Sequence, residues 1–170
     1  MTSAVPAAQS DSRRDPDSDE GTDPVHPPWT HAPLGALVLV VVFDAVSAVA
    51  GSTRPWAHEL YRSGTFVLSA MPVLVAAATA TGLIDRARAT VARTPVRAMV
   101  NLHGVVMVGM VFAAAGDLAI RRFVYPDARH TPGVVLGFSA VALVAALIGG
   151  DLGGRLTYRA GVGVHRRTGR

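Results

Sequence analysis

Pro33–Ala50 reads PLGALVLVVVFDAVSAVA, 18 residues with a single ionisable side chain, Asp44. An α-helix rises about 1.5 Å per residue and a hydrocarbon core is about 30 Å thick, so a run of this length crosses a bilayer. Downstream, three more stretches have the same character: Thr65–Ile84, Ala98–Ile120 and Gly133–Gly150. Of the 16 basic and 12 acidic residues, only Asp44 and Asp117 fall within the four runs. A helix in a water-soluble bundle carries a polar stripe along its outer face, which these runs lack. The expected fold is therefore all-α, an integral membrane four-helix transmembrane bundle with spans at about 33–50, 65–84, 98–120 and 133–150.

The 170 residues leave room for one such domain, expected over 26–164, and for tails. Residues 1–25 are rich in Ser, Asp, Pro and Ala, hold almost no large apolar side chain, and are expected to form a disordered acidic tail. Residues 165–170 make a short basic C-terminal tail. No apolar core follows a basic start early in the chain, so the first span is expected to act as the insertion signal.

Every basic residue is Arg, and they cluster outside the runs. Arg13 and Arg14, then Arg86, Arg88, Arg93 and Arg97, then Arg155, Arg159, Arg166, Arg167 and Arg170 lie on one side. They outnumber Arg54, Arg62, Arg121, Arg122 and Arg129 on the other. The positive-inside rule then puts both termini in the cytoplasm, for a multi-pass protein of a bacterial inner membrane. Arginines flanking apolar spans meet lipid headgroups, so the lipid bilayer is the expected partner and nucleic acid is not. The absence of Cys removes disulfides, thiolate metal sites, iron–sulfur clusters and c-type haem attachment. No metal site is read.

Local signals punctuate the spans. Thr30 is placed to cap the first helix, with Pro33 in its first turn. Pro72 lies within the second run and should kink it, with Ser69 and Thr79 as hydroxyls available to the freed carbonyl. Gly149 with Gly153, and Gly150 with Gly154, form two small-x-x-x-small pairs that permit close helix packing. They match neither a dinucleotide nor a P-loop spacing.

Parity brings the start of helices one and three and the end of helices two and four to one membrane face. Polar residues are expected to converge there: His26, His31, Asp85, Asn101, His103, Asp151, Tyr158 and, in the motif beyond, Gly161. His103 shares a stripe with Met107, Met110, Ala114 and Asp117 at spacings of three and four. An imidazole facing a bundle interior can hold haem iron, relay protons or bond to a neighbour. His26 and His31, five apart around two prolines, are not helical i,i+4 metal partners and read first as interfacial anchors beside Trp29. At the other face, Asp117 precedes Arg121 by four residues, the spacing of a boundary ion pair. Asp44 lies deeper, where a carboxylate needs a partner or a proton; a cross-helix Arg, or Asp117 sharing a proton, would serve.

The segments His26-Pro27-Pro28-Trp29-Thr30-His31-Ala32-Pro33, Phe43-Asp44, Gly82-Leu83-Ile84-Asp85 and Gly153-Gly154-Arg155-Leu156-Thr157-Tyr158-Arg159-Ala160-Gly161-Val162-Gly163-Val164 resemble a bacterial membrane-protein family, domain of unknown function 2231. The likeness runs from about His26 to Val164. It implies a four-span membrane domain and no established activity. Relatives often carry a His before the glycine of the closing motif and an acid after the paired glycines, where this chain has Ala160 and Arg155; Met107 stands where an Asn follows the helix-three His.

Three functions fit these residues. The preferred one is a redox component holding a b-type haem or quinone through His31 and His103, with His26 as alternative ligand. Another is proton or small-solute passage using Asp44 and Asp117 at one end and His103 with Asp85 at the other. The third is a non-catalytic subunit that packs on a membrane protein partner or on itself. No serine elbow, Walker loop or paired general acid and base supports hydrolysis or phosphoryl transfer.

Overall fold

The computed structural model describes residues 26–88 and 94–159, with side chains from 29–84 and 95–159. These residues form four α-helices: α1 (His26–Ala50), α2 (Pro55–Arg88), α3 (Thr94–Phe123) and α4 (Gly133–Tyr158). Each encloses one of the apolar runs, and all four are long and apolar enough to cross a membrane. Even the shortest, 25 residues, reaches about 37 Å at the α-helical rise. Both terminal tails lie outside the described residues.

Helix boundaries extend past the apolar runs. α1 starts at His26, so Thr30 is inside the helix and does not cap it. Pro27 and Pro28 are tolerated in the first turn, where their missing amides would have had no intrahelical partner. α2 begins at Pro55 because its first turns are amphipathic: Ala57, Tyr61 and Gly64 are buried while Glu59 and Arg62 point outward. At Ala50 α1 stops and Gly51 takes φ +69°, its amide donating to the Ser47 carbonyl at 3.1 Å, a left-handed cap that suits glycine. Ser69 and Thr79 do not serve the carbonyl that Pro72 frees. A helical hydroxyl reaches back three or four residues. Ser69 accordingly donates to Thr65 O at 2.7 Å, and Thr79, beyond the proline, has no reach to Leu68.

α1 packs along α2 and α3 along α4, and the two hairpins join chiefly through α1 and α4; α1 and α3 stand diagonally opposed. The seam follows spacings of three and four on every helix. It runs Pro33, Leu37, Val40, Asp44, Ser47 on α1 and Ala57, Tyr61, Gly64, Leu68, Met71 on α2. On α3 it is Met110, Ala114, Asp117, Arg121, and on α4 Val135, Ser139, Ala142, Ala146, Gly149. This is the knobs-into-holes register of left-handed bundles. Its middle is apolar, built on Leu37, Val40, Leu68, Met71, Met110, Ala114, Ala142 and Ala146. Toward the α1–α2 and α3–α4 connections, here the loop end, the same stripe turns polar. The outer surface is apolar, with Phe66, Val73, Val105 and Phe112 all largely exposed. Water would disfavour that surface, and acyl chains accept it.

Candidate functional site

The polar part of the seam is a single buried centre to which all four helices contribute. Asp44 comes from α1, Thr65 and Tyr61 from α2, Asp117 and Arg121 from α3, and Ser139 from α4. Asp44, Asp117, Arg121 and Ser139 are each at most 1% exposed. Arg121 grips Asp117 with two nitrogens, Nε to Oδ1 at 2.9 Å and Nη2 to Oδ2 at 3.3 Å. Its Nη2 also donates to Asp44 Oδ2, and to Ser139 Oγ at 3.2 Å. Its Nη1 reaches Thr65 Oγ1 at 3.3 Å. The guanidinium carbon lies 5.2 Å from the centroid of the Tyr61 ring, a cation–π contact that leaves the phenol oxygen pointing away.

Gly64 explains how α2 admits so large a group. A Cβ there would sit 3.4 Å from both Arg121 Nη1 and Asp44 Oδ1, so any longer side chain would displace the ions. Ser139 lies between the acids, its Oγ 2.6 Å from Asp44 Oδ2 and 2.7 Å from Asp117 Oδ2. Thr131, just ahead of α4, donates its hydroxyl to Asp44 Oδ1 at 3.2 Å and its amide to Ser47 Oγ at 2.9 Å. Ser47 in turn donates to Ala57 O at 2.7 Å. Among the described residues no buried side-chain nitrogen or oxygen lacks a partner.

The loops are tied down over this centre. Tyr61 donates to Tyr125 O at 2.7 Å, and His58 Nδ1 lies 2.8 Å from Ala128 O. Between these loops Ser52, Thr53, Arg54, Pro55, His58, Asp127 and Arg129 line a hollow of about 480 Å³.

A family model described as predicted membrane protein, DUF2231, matches residues 22–166. The chain belongs to this DUF2231 family. No curated protein and no solved structure matches it. This DUF2231 chain thus joins a four-helix membrane fold to a dense ionic centre at one end.

Of the residues singled out from the sequence, the structure brings Asp44 and Asp117 together on Arg121 and Ser139. The boundary pair of Asp117 with Arg121 is present, and the same arginine is the cross-helix cation for Asp44. At the opposite, terminal end the expected convergence is limited. His103 Nδ1 lies 2.9 Å from Gly149 O, and its ring faces Gly153, whose added Cβ would meet Cε1 at 3.3 Å. His31, Asn101, Asp151 and Tyr158 are exposed instead. Each lies two residues from a buried or ring-packing position, respectively Pro33, His103, Gly149 and Leu156, and two residues turn about 200° around a helix. Asp151 pairs with Arg155 at 2.7 Å on the exposed face of α4. The side chains of His26 and Asp85, and Gly161 altogether, lie outside the described residues.

The glycine pairs also divide. A Cβ on Gly149 would fall 2.4 Å from Met107 Sδ, so Gly149 and Gly153 receive side chains of α3, not the backbone the spacing suggested. Gly150 and Gly154 face open space.

The sequence reading missed Ser139, Tyr61, Thr65 and Thr131. One signal was there: Ser139 is the sole hydroxyl in the fourth apolar run, and it stands on that run's seam.

Proposed function

We propose that the protein handles protons within the membrane, taking them up at the Asp44–Asp117–Arg121 centre as a step in proton passage through the bundle. The observation that carries this is the imbalance of the centre: two carboxyl groups share one guanidinium at full burial. Two ionised acids beside one cation would leave a net negative charge in a low-dielectric interior, at a cost of several kcal/mol. A proton removes that charge. The polar hollow between the loops is lined in part by His58, next in sequence to Ala57, whose carbonyl begins the hydrogen-bonded link through Ser47 and Thr131 to Asp44. With both termini in the cytoplasm, as the arginine distribution supports, the centre lies toward the outer membrane face. In liposomes under a pH gradient, Asp44→Asn is expected to reduce proton flux at least tenfold relative to wild type. Equal flux in the two proteins overturns the reading.

A second reading, a redox component with a b-type haem or quinone at the terminal end, is favoured by the His103–Gly149 contact. Outer hydrogen bonds of this kind orient imidazoles that bind iron. The other ligand would come from α1, diagonal to α3, where the exposed His31 would have to turn inward. Protein purified after expression with haem would then show a Soret band that is lost in His103→Ala, and a colourless protein ends this reading.

A further inference from the structure

We infer that the loop-end centre holds one proton in common between Asp44 and Asp117, and that the Ser139 hydroxyl carries it from one to the other. The inference deepens the proton reading above and rests on the same centre. It comes from counting hydrogens. A serine hydroxyl has one proton to give and two lone pairs to receive. Around Ser139 Oγ stand Asp44 Oδ2 at 2.6 Å, Asp117 Oδ2 at 2.7 Å, Val135 O at 3.1 Å and Arg121 Nη2 at 3.2 Å.

Arg121 only donates, so it takes one lone pair. If both acids were ionised, three acceptors would compete for one serine proton, and two anions would converge on one hydroxyl at strong hydrogen-bond distance. A proton on either carboxyl removes the conflict. That carboxyl then donates to the second lone pair of Ser139, while Ser139 donates to the remaining carboxylate. The proton and one lone pair of the hydroxyl are then used by its two nearest neighbours and the other lone pair by Arg121, and the centre, one anion against one cation, is neutral.

The exchange is a paired transfer. The O–H bond of Asp117 breaks as a new one forms at Ser139 Oγ, and the original Ser139 O–H bond breaks as one forms at Asp44 Oδ2. Serine ends as it began, and the proton has moved from α3 to α1. Arg121 Nη2 contacts Oδ2 of both acids, so the cation stays beside whichever is ionised. Among the described residues no other charged group touches either carboxyl. Tyr61, against the guanidinium, commits its phenol proton to Tyr125 O, and Thr131 donates to the outer oxygen of Asp44.

Infrared spectroscopy of the full chain in lipid vesicles at neutral pH tests this. Wild type is expected to show the carbonyl stretch of one protonated carboxyl per chain, shifted in D2O. The band should vanish in both Asp44→Asn and Asp117→Asn, because a lone acid facing Arg121 ionises. It should persist at a changed frequency in Ser139→Ala and return to its wild-type position in Ser139→Thr. No such band in wild type overturns the inference, whether or not the variants insert; so does its survival in either Asn variant, or an unaltered frequency in Ser139→Ala. A band that behaves as expected in a protein without flux upholds the shared proton and removes passage. Flux without the band removes the shared proton and leaves passage standing.

Discussion

Replacing Arg121 by Met separates the ionic centre's stability from its charge. The change keeps a long side chain against Tyr61 but removes every donor: two nitrogens to Asp117, one shared with Asp44 and Ser139, and one to Thr65. Breaking a buried pair by deleting one partner costs about 3–5 kcal/mol, because the surviving charge stays in low dielectric. The figure should fall near about 3 kcal/mol here, since the remaining carboxylate can take a second proton across Ser139. Removing the whole set is a different experiment. In the triple variant Asp44→Asn, Asp117→Asn, Arg121→Met no charge is left to bury, and such replacements are often neutral. The triple variant is therefore expected within about 1 kcal/mol of wild type, more stable than the single variant from which it derives, yet without flux. Reversible unfolding in mixed detergent micelles, followed by circular dichroism, gives both values. Arg121→Met within about 1 kcal/mol of wild type, or a triple variant no more stable than the single, refutes the reasoning.

Four further expectations follow from local geometry. Gly64→Leu should destabilise as Arg121→Met does, by about 3 kcal/mol, because the side chain would occupy the space of Arg121 Nη1 and Asp44 Oδ1; the same unfolding assay reads it. Gly149→Leu should cost about 2 kcal/mol through overpacking against Met107, and Gly150→Leu, with nothing within 4 Å, less than about 0.5 kcal/mol. Because the chain has no Cys, Ser52→Cys and Tyr158→Cys each introduce one exposed thiol. In intact cells an impermeant maleimide should label the first and not the second if the termini are cytoplasmic, and the reverse pattern inverts the topology. His58→Ala should lose its bond to Ala128 O and loosen the α3–α4 connection, seen as faster amide exchange over Asp127–Thr131 with little change in exchange across the apolar core.

The membrane architecture was legible because lipid imposes it at the level of composition: a run such as Pro33–Ala50 has no other stable solvent. The ends of the helices were less so. Pro55–Gly64 carries Glu59 and Arg62, so hydropathy stopped the second span short, while the seam positions Ala57, Tyr61 and Gly64 were already continuing it. The acids Asp44 and Asp117 could be found as charges out of place, but Ser139 and Thr131 could not be joined to them. Their contacts with Asp44 cross 95 and 87 residues of chain, and the docking of α1 on α4 brings them together; the Ser139–Asp117 contact spans 22 residues and follows from the packing of α3 on α4. At the terminal end the error was one of phase. Polar residues were collected by membrane depth, and those two positions off the seam turned outward.

Why the centre holds two acids decides whether it is more than a clasp. The Asp44–Arg121 pair by itself would tie α1 to α3, and Thr65 and Ser139 would still satisfy the remaining guanidinium donors. Asp117 already accepts from two Arg121 nitrogens, so Asn at position 44, its oxygen toward Arg121 and Ser139 and its amide toward the Thr131 hydroxyl, would keep the cross-helix hydrogen bonds without a second charge. As an acid, Asp44 adds a charge that hydrocarbon disfavours unless a proton accompanies it. It also makes the centre nearly symmetric about Ser139, with distances of 2.6 and 2.7 Å. A static tie gains nothing from symmetry. A proton with two resting places at matched distance from one hydroxyl, one on each hairpin, does, because its movement then requires little rearrangement of the surrounding helices.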